Sequence, residues 1–260
     1  MLIKAKTLKG YTLHGLDGEI GRVEQFYFDD AHWTIRYLIA DTGNWLRGRQ
    51  VLISPNSLTG VFEDEQTIGT NLTKHQIEES PSLATDKPVS RQFEEAYHGY
   101  YGWPMYWSGP YIRGTYPFIM RDLLHSQSSS GGENAWDPHL RSTRDVTGHH
   151  IQANDGEIGH VNDFIIDVES WEIRYLILDT RNWWPGRRVL IAPQWIQRVS
   201  WDTMKVFVNL SREAIQGAPE YTEASLLDRD YETNLHRHYK REGYWMNETA
   251  AMPAFDAHGA

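Results

Sequence analysis

Cysteine is absent from the 260 residues of this chain. Its absence excludes disulfides, thiol nucleophiles and any Cys-ligated zinc or iron–sulfur centre. Long apolar runs are missing too. No stretch approaches the roughly 20 residues needed to cross a bilayer, and the opening MLIKAKTLKGYTL has neither the apolar core nor the cleavage site of a secretory signal. These absences predict a cytoplasmic protein with no membrane-spanning segment. Positive charge is scarce: 25 Lys and Arg stand against 35 Asp and Glu, a formal charge of −10. A surface of that sign repels phosphate backbones and argues against general nucleic-acid binding. The chain also lacks GxGxxG and phosphate-loop patterns, a GxSxG nucleophile elbow, HExxH and any pair of histidines at i, i+4. No cofactor and no catalysis are expected.

What the chain has in quantity is aromatic residues and a repeat. Aromatics make up 13% of it, with 11 Trp and 14 Tyr, enough to build small cores from few residues. Set against each other without a gap, Asp17–Pro55 and Asp155–Pro193 agree at 24 of 39 positions, where chance gives about two. The offset of 138 continues outward. Leu2 aligns with Leu140, Asn71-Leu72 with Asn209-Leu210, Pro81 with Pro219 and Tyr106-Trp107 with Tyr244-Trp245. A copy this long is a tandem domain duplication rather than a solenoid. It predicts units at 1–107 and 139–245. Residues 108–138 join them, running from an aromatic, Pro/Gly-rich segment into the linker-like SQSSSGGEN, and residues 246–260 form a tail.

Within each unit, Asp17-Gly18 and Asp155-Gly156 signal a tight turn. TIRYLIAD and EIRYLILD read as strands. RQVLIS and RRVLIA read as further strands stopped by Pro55 and Pro193, and a hairpin follows each. Some six short strands in about 70 residues predict a small barrel or sandwich. Thr73 with Gln76 forms a capping box, and Ser211 is the N-cap of the matching helix. Phe93, Tyr97 and Tyr101, and likewise Tyr231, Leu235 and Tyr239, fall at i, i+4, i+8 and make a helical core stripe.

The stretches DGEIGRVEQFYFD and IRYLIADTGNWLRGRQVLISP, with their copies, resemble the PRC-barrel domain, the family of the cytoplasmic domain of the photosynthetic reaction-centre H subunit and of a ribosome maturation factor. The resemblance covers about residues 5–80 and 143–218 and extends to LSREAIQGAPEY, which is similar to the tail following the barrel in bacterial two-barrel members. It implies a six-stranded β-barrel used as a docking module. The expected fold is therefore mainly β with short helices: two tandem barrels related by a pseudo-two-fold axis, as from a fused homodimer. Each barrel carries a helical, aromatic extension, and the extensions meet at the seam between the barrels.

The candidate contact residues lie in the Trp-Gly-Arg loops. Trp184, Arg187, Arg188 and Arg181 cluster in the second copy, and Leu46, Arg47 and Arg49 lie in the corresponding loop of the first. Trp and Arg dominate interface energetics, which makes these loops the expected site for a protein partner. Trp45 and Trp183, which recur in both copies, read as caps on one end of each barrel, and Trp184, in place of Leu46, is the exposed aromatic. The acid pairs Asp17/Glu19, Asp29/Asp30 and Asp155/Glu157 read as turn chemistry rather than as two carboxyls facing across a cleft. QANDGEIG stops short of a calcium loop. His149-His150 and His236/His238 diverge in a strand or helix, so no metal is expected. Weighed against the docking module are a reaction-centre-like role in electron transfer, an RNA-linked assembly role and a metal-dependent hydrolase. The partner is a protein of unspecified identity, and the chain is compatible with a homo-oligomer.

Overall fold

In a computed structural model the described residues are 1–46, 49–81, 89, 91–107, 140–180, 187–222 and 227–246. The joining segment 108–138 and the tail beyond Met246 lie outside them. The fold is mainly β, with six short helices among the described residues. In the first half, β1 (Leu2–Lys4) leads into the one-turn α1 (Ala5–Leu8). Six strands follow: β2 (Thr12–Gly15), β3 (Gly18–Asp29), β4 (Thr34–Asp41), β5 (Gln50–Ile53), β6 (Leu58–Phe62) and β7 (Thr67–Thr70). Helices α2 (Lys74–Glu78) and α3 (Arg91–Tyr101) close the half. The second half repeats this as β8 (Leu140–Ser142), α4 (Thr143–Val146), β9 (His150–Ala153), β10 (Gly156–Asp167), β11 (Glu172–Asp179), β12 (Arg188–Ile191), β13 (Ile196–Ser200), β14 (Lys205–Val208), α5 (Arg212–Gln216) and α6 (Arg229–His238).

The turn chemistry follows the sequence. Each Asp-Gly sits at its turn, and the carboxylates of Asp17 and Asp155 accept the backbone N–H of Lys74 and Arg212, holding the first turns of α2 and α5. The capping box of Thr73 and Gln76 is closed in both directions, and Ser211 accepts from Ala214 N–H. Gly21 and Gly159 are required by close approach: a Cβ at either would run into the carbonyl of Asp41 or Asp179 on the neighbouring strand.

Each half lines up six strands, β5-β4-β3-β2-β7-β6 and β12-β11-β10-β9-β14-β13, antiparallel except where β2 meets β7 and β9 meets β14. Closed barrels were expected, and the sheet is not closed: no ladder joins β5 to β6 or β12 to β13 among the described residues. The corner between β5 and β6 is a 3-10 turn, Pro55–Ser57. Its proline brings no N–H, and the Ser57 carbonyl is taken by Asn71 N–H and the Thr70 hydroxyl. The polar groups at that corner bond to the end of β7 instead of continuing a β5–β6 ladder.

The two halves form one 14-stranded mixed sheet. Thr34 on β4 pairs with Glu172 on β11, its own counterpart 138 positions on. Ile35 N–H donates to the Trp171 carbonyl at 2.8 Å, and Ile173 N–H to that of Trp33 at 2.7 Å. Trp33 and Trp171 sit in the left-handed region, with φ of 54° and 58°, a conformation costing on the order of 1 kcal/mol per residue. Two short strands are exchanged. β1 of the first half pairs with β10 of the second, Leu2 opposite Asp167, and β8 of the second pairs with β3 of the first, Leu140 opposite Asp29.

The core runs through this seam. Phe28 stacks on Trp33 and tilts against Phe164 of the other half, with centroids 5.9 Å apart. A β-bulge between Ile35 and Tyr37, followed by regular alternation, divides the side chains of β4 between two clusters. Ile35, Leu38 and Ala40 join the main core, while Tyr37 and Ile39 face a second cluster with Leu52, Val89, Tyr97 and Leu140. Both faces of β4 are covered, which explains why TIRYLIAD is nearly continuously apolar.

Candidate functional site

Trp45 leans on the main core and donates its indole N–H to the Ile20 carbonyl, with the Lys74 ammonium 5.6 Å from its ring. Leu46 is half-buried against the same core. The guanidinium of Arg49 donates to the carbonyls of Glu78 (3.1 Å) and Ser80 (2.6 Å), and Arg187 donates to Ala218, the counterpart of Ser80. Both arginines satisfy carbonyls left over where α2 and α5 end, an intramolecular task that accounts for their recurrence in both copies. Arg188 opens β12 opposite Asp179, and its carbonyl accepts Tyr221 N–H. Arg47, Arg181 and Trp184 lie outside the described residues.

The structure assembles a second constellation that the sequence reading passed over. Helix α3 lies on the outer face of β4. There the Tyr37 hydroxyl is 2.8 Å from Glu94 Oε1 and 2.8 Å from His98 Nε2. Tyr106 donates to the same Glu94 oxygen at 2.6 Å, and Arg91 pairs with the other at 3.3 Å. His98 Nδ1 faces the Pro104 carbonyl at 3.0 Å. It donates there, which leaves Nε2 as an acceptor. The single proton of Tyr37 thus stands between two acceptors. Arg36 lies over the Tyr106 ring at 4.2 Å and Arg91 over Trp107 at 4.2 Å.

Every member recurs 138 positions on. Tyr175 stands between Glu232 (2.8 Å) and His236 (3.1 Å), Tyr244 donates to Glu232, Arg229 pairs with Glu232, and His236 Nδ1 faces the Glu242 carbonyl. Arg174 and Arg229 cover Tyr244 and Trp245.

Burial governs the electrostatics. Burial, aided by the neighbouring Glu94, pushes the Tyr37 phenol well above its ordinary value, and burial together with Glu232 does the same to Tyr175. Burial pushes the His98 imidazole down to about 4, with Arg91 and Arg36 adding to the effect against the Pro104 hydrogen bond. His236 moves the same way, chiefly through burial. Tyr37 and Glu94 are 0% exposed and His98 1%. The cluster has the residue types of acid–base catalysis, but solvent does not reach it. It rivets the helix and its aromatic tail to the sheet.

The aromatic extensions therefore pack differently from expectation. Phe93, Tyr97, Tyr101, Trp103, Tyr106 and Trp107 contact rings and cations of the first half, and Tyr239, Tyr244 and Trp245 those of the second, where Tyr239 packs on Trp195. The seam is made of strands instead. Each extension has buried hydrogen-bond partners on its own β4 or β11, and those partners fix where it docks. The helical stripe itself is as expected: Phe93 stacks on Tyr97, which meets Tyr101 at 5.0 Å and donates its hydroxyl to the Leu52 carbonyl.

The signal for the cluster was present in the sequence. Glu94 and His98, like Glu232 and His236, stand at i, i+4 in segments that otherwise diverge, EEAYHGYY against ETNLHRHY. The strand tyrosine is retained in both copies of IRYL. Neither half shows a group of three His, Asp or Glu side chains placed to hold a metal among the described residues. Among the described residues, no helix is long and apolar enough to cross a membrane. Comparison with protein-family models and with curated proteins gives no match.

Proposed function

We propose that this chain is a non-catalytic docking scaffold of the PRC-barrel type, built as two barrel units about a pseudo-two-fold axis and derived from a fused homodimer. The observation that carries the reading is the reciprocal seam. Strand β1 crosses to β10 as β8 crosses to β3, and Thr34 meets its own counterpart Glu172. An isologous dimer makes each contact twice in this way. The polar residues best suited to chemistry, Tyr37, Glu94, His98 and their counterparts, are buried as rivets. That leaves the surface loops to carry function.

In this reading the partner is a protein, met through the loop at 181–188. Trp184 and Arg181 are the contact residues, and Arg187 holds the loop's base. The test is quantitative cross-linking mass spectrometry on the full-length chain in its native cells, wild type against the Trp184→Ala, Arg181→Ala double variant. The reading expects a reproducible cross-linked partner to be lost with no change in melting temperature. An unchanged partner set overturns the assignment of that loop.

A further inference from the structure

The two halves differ at one cleft. In the first half, the end of β7, helix α2 and the end of α3 enclose about 360 Å³ lined by Asn71, Leu72, Gln76, Tyr100, Tyr101 and Trp103. Trp103 stacks on Tyr101 at 4.3 Å, and Tyr100 meets Tyr101 edge-on at 4.8 Å while remaining 41% exposed. The Gln76 side-chain oxygen is engaged by Thr73, and Tyr100 donates to the Gln76 carbonyl at 2.9 Å. The Asn71 carbonyl accepts no hydrogen bond among the described residues.

The second half shows what fits there. The counterpart of Trp103 is Arg241, and its guanidinium donates to the carbonyl of Asn209, the counterpart of Asn71, at 3.2 Å. His238, in place of Tyr100, bonds the carbonyl of Ala214 as Tyr100 bonds that of Gln76. The second half therefore supplies its own guanidinium to this carbonyl. The first half leaves the same carbonyl open and lines the space with three aromatic rings.

We propose that the cleft of the first half is a binding site for a guanidinium group, that of an arginine side chain or of free arginine. Three properties favour a cation over a neutral ligand. The open carbonyl accepts a charge-assisted hydrogen bond. The rings of Tyr100 and Trp103 offer cation–π contact. Glu79 is close enough to reinforce the effect of burial in raising the Tyr100 phenol, so its negative field reaches the cleft, and the chain as a whole carries −10. The cation acting on Tyr101 from within is Arg49, already held by the carbonyls of Glu78 and Ser80. Its counterpart Arg187 is held in the same way and does not keep Arg241 from its place. A planar guanidinium, with several donors in a fixed fork, suits a carbonyl beside ring faces better than an ammonium does. This site is separate from the loop at 181–188, and the proposal stands whether or not that loop docks a partner.

The experiment is ligand-observed saturation-transfer NMR with the full-length chain, followed by titration. The probes are free L-arginine, the peptide Gly-Gly-Arg-Gly-Gly, and L-citrulline as the uncharged isostere. One cation–π contact plus one charge-assisted hydrogen bond gives a dissociation constant of about 1–30 mM for the guanidinium probes, with citrulline weaker by about tenfold or more. Binding of the peptide assigns the site to a partner's side chain, and binding of free arginine alone assigns it to the small molecule. The substitution Trp103→Arg copies the second half's own solution and abolishes binding. Tyr100→Ala, at a partly exposed ring, weakens it about threefold or more and serves if the first variant does not fold. Three results overturn the proposal: no saturable binding of either guanidinium probe, citrulline binding as well as arginine, or undiminished binding in a folded Trp103→Arg chain or, should that variant fail to fold, in Tyr100→Ala.

Discussion

The two ends of the seam are built to one plan with different chemistry. Where the second half's strand β8 enters the first half, the Ser142 hydroxyl donates to Gln25 Oε1 at 2.7 Å. Where the first half's β1 enters the second, the counterpart of Gln25 is Asp163, whose carboxyl receives the backbone N–H of Lys6 at 3.3 Å and of Phe164 at 2.9 Å. A neutral amide stands at one crossing and a buried carboxyl at the other. Burial raises Asp163 to about 6 against those hydrogen bonds. Duplicated geometry thus does not carry duplicated electrostatics: Asp163 exchanges a proton near pH 6, and the neutral amide of Gln25 at the matching position has none to exchange.

The largest expected effect tests whether the two rivets are equivalent. Glu94→Ala leaves Arg91 and two tyrosine hydroxyls without their shared acceptor, and urea unfolding should show a loss of about 3–5 kcal/mol. Glu232→Ala should lose less, because Arg229 is 51% exposed where Arg91 is 26% and water takes over the orphaned charge. Equal losses would erase that distinction.

The next effect sharpens the contrast between the crossings. The folded chain binds the Asp163 proton more tightly than the unfolded chain does. Its contribution is therefore fully present below the ordinary carboxyl value and lost as pH rises through about 6. Asp163→Asn should gain up to about 3 kcal/mol above that pH and nothing below about pH 4. Gln25→Asp should show the reverse, a loss at neutral pH that acid relieves. His98 runs the other way. Its folded value is depressed, so its contribution is present above the ordinary 6.5 and lost as pH falls toward about 4. Melting temperatures of Asp163→Asn should then stay level from pH 8 to about 6.5 and fall from there toward pH 4. A Gln25→Asp chain as stable as wild type at pH 7 would break the comparison.

Smaller effects belong to the close approaches and the helix ends. Gly21→Ala drives a methyl into the Asp41 carbonyl and should cost about 1–3 kcal/mol in a denaturant melt. Gly159→Ala should cost more, because its φ of 144° adds backbone strain to the same clash. Arg49→Ala and Arg187→Ala should each lose about 1 kcal/mol by exposing carbonyls at the ends of α2 and α5. A partner lost from either variant with no change in stability would return these arginines to the contact surface.

Much of the fold was legible residue by residue. Asp-Gly turns, proline stops, the hairpins and the capping box at Thr73 are local, and local chemistry suffices to place them. The candidate site was less legible. Arg49 and Arg187 looked like contact residues because a Trp-Arg cluster reads the same whether its guanidinium faces water or a helix end. The Tyr37–Glu94–His98 cluster draws on a strand and a helix 57 positions apart, and only the recurrence of its members hinted that they meet. The density of aromatics in the tails gives hydrophobicity without direction, so it does not say which surface they cover.

The sequence by itself determined that there are two copies, where their strands and turns fall, and that no cysteine chemistry operates. Tertiary structure decided which copy each strand joins. Leu2–Lys4 and Leu140–Ser142 meet closely similar edges on β3 and β10, so no local preference distinguishes an own edge from an exchanged one; the geometry of the whole chain made the choice. It likewise decided that one cleft holds its own Arg241 and the other stands open, because a single change of side chain reads as neutral until its neighbours in space are known.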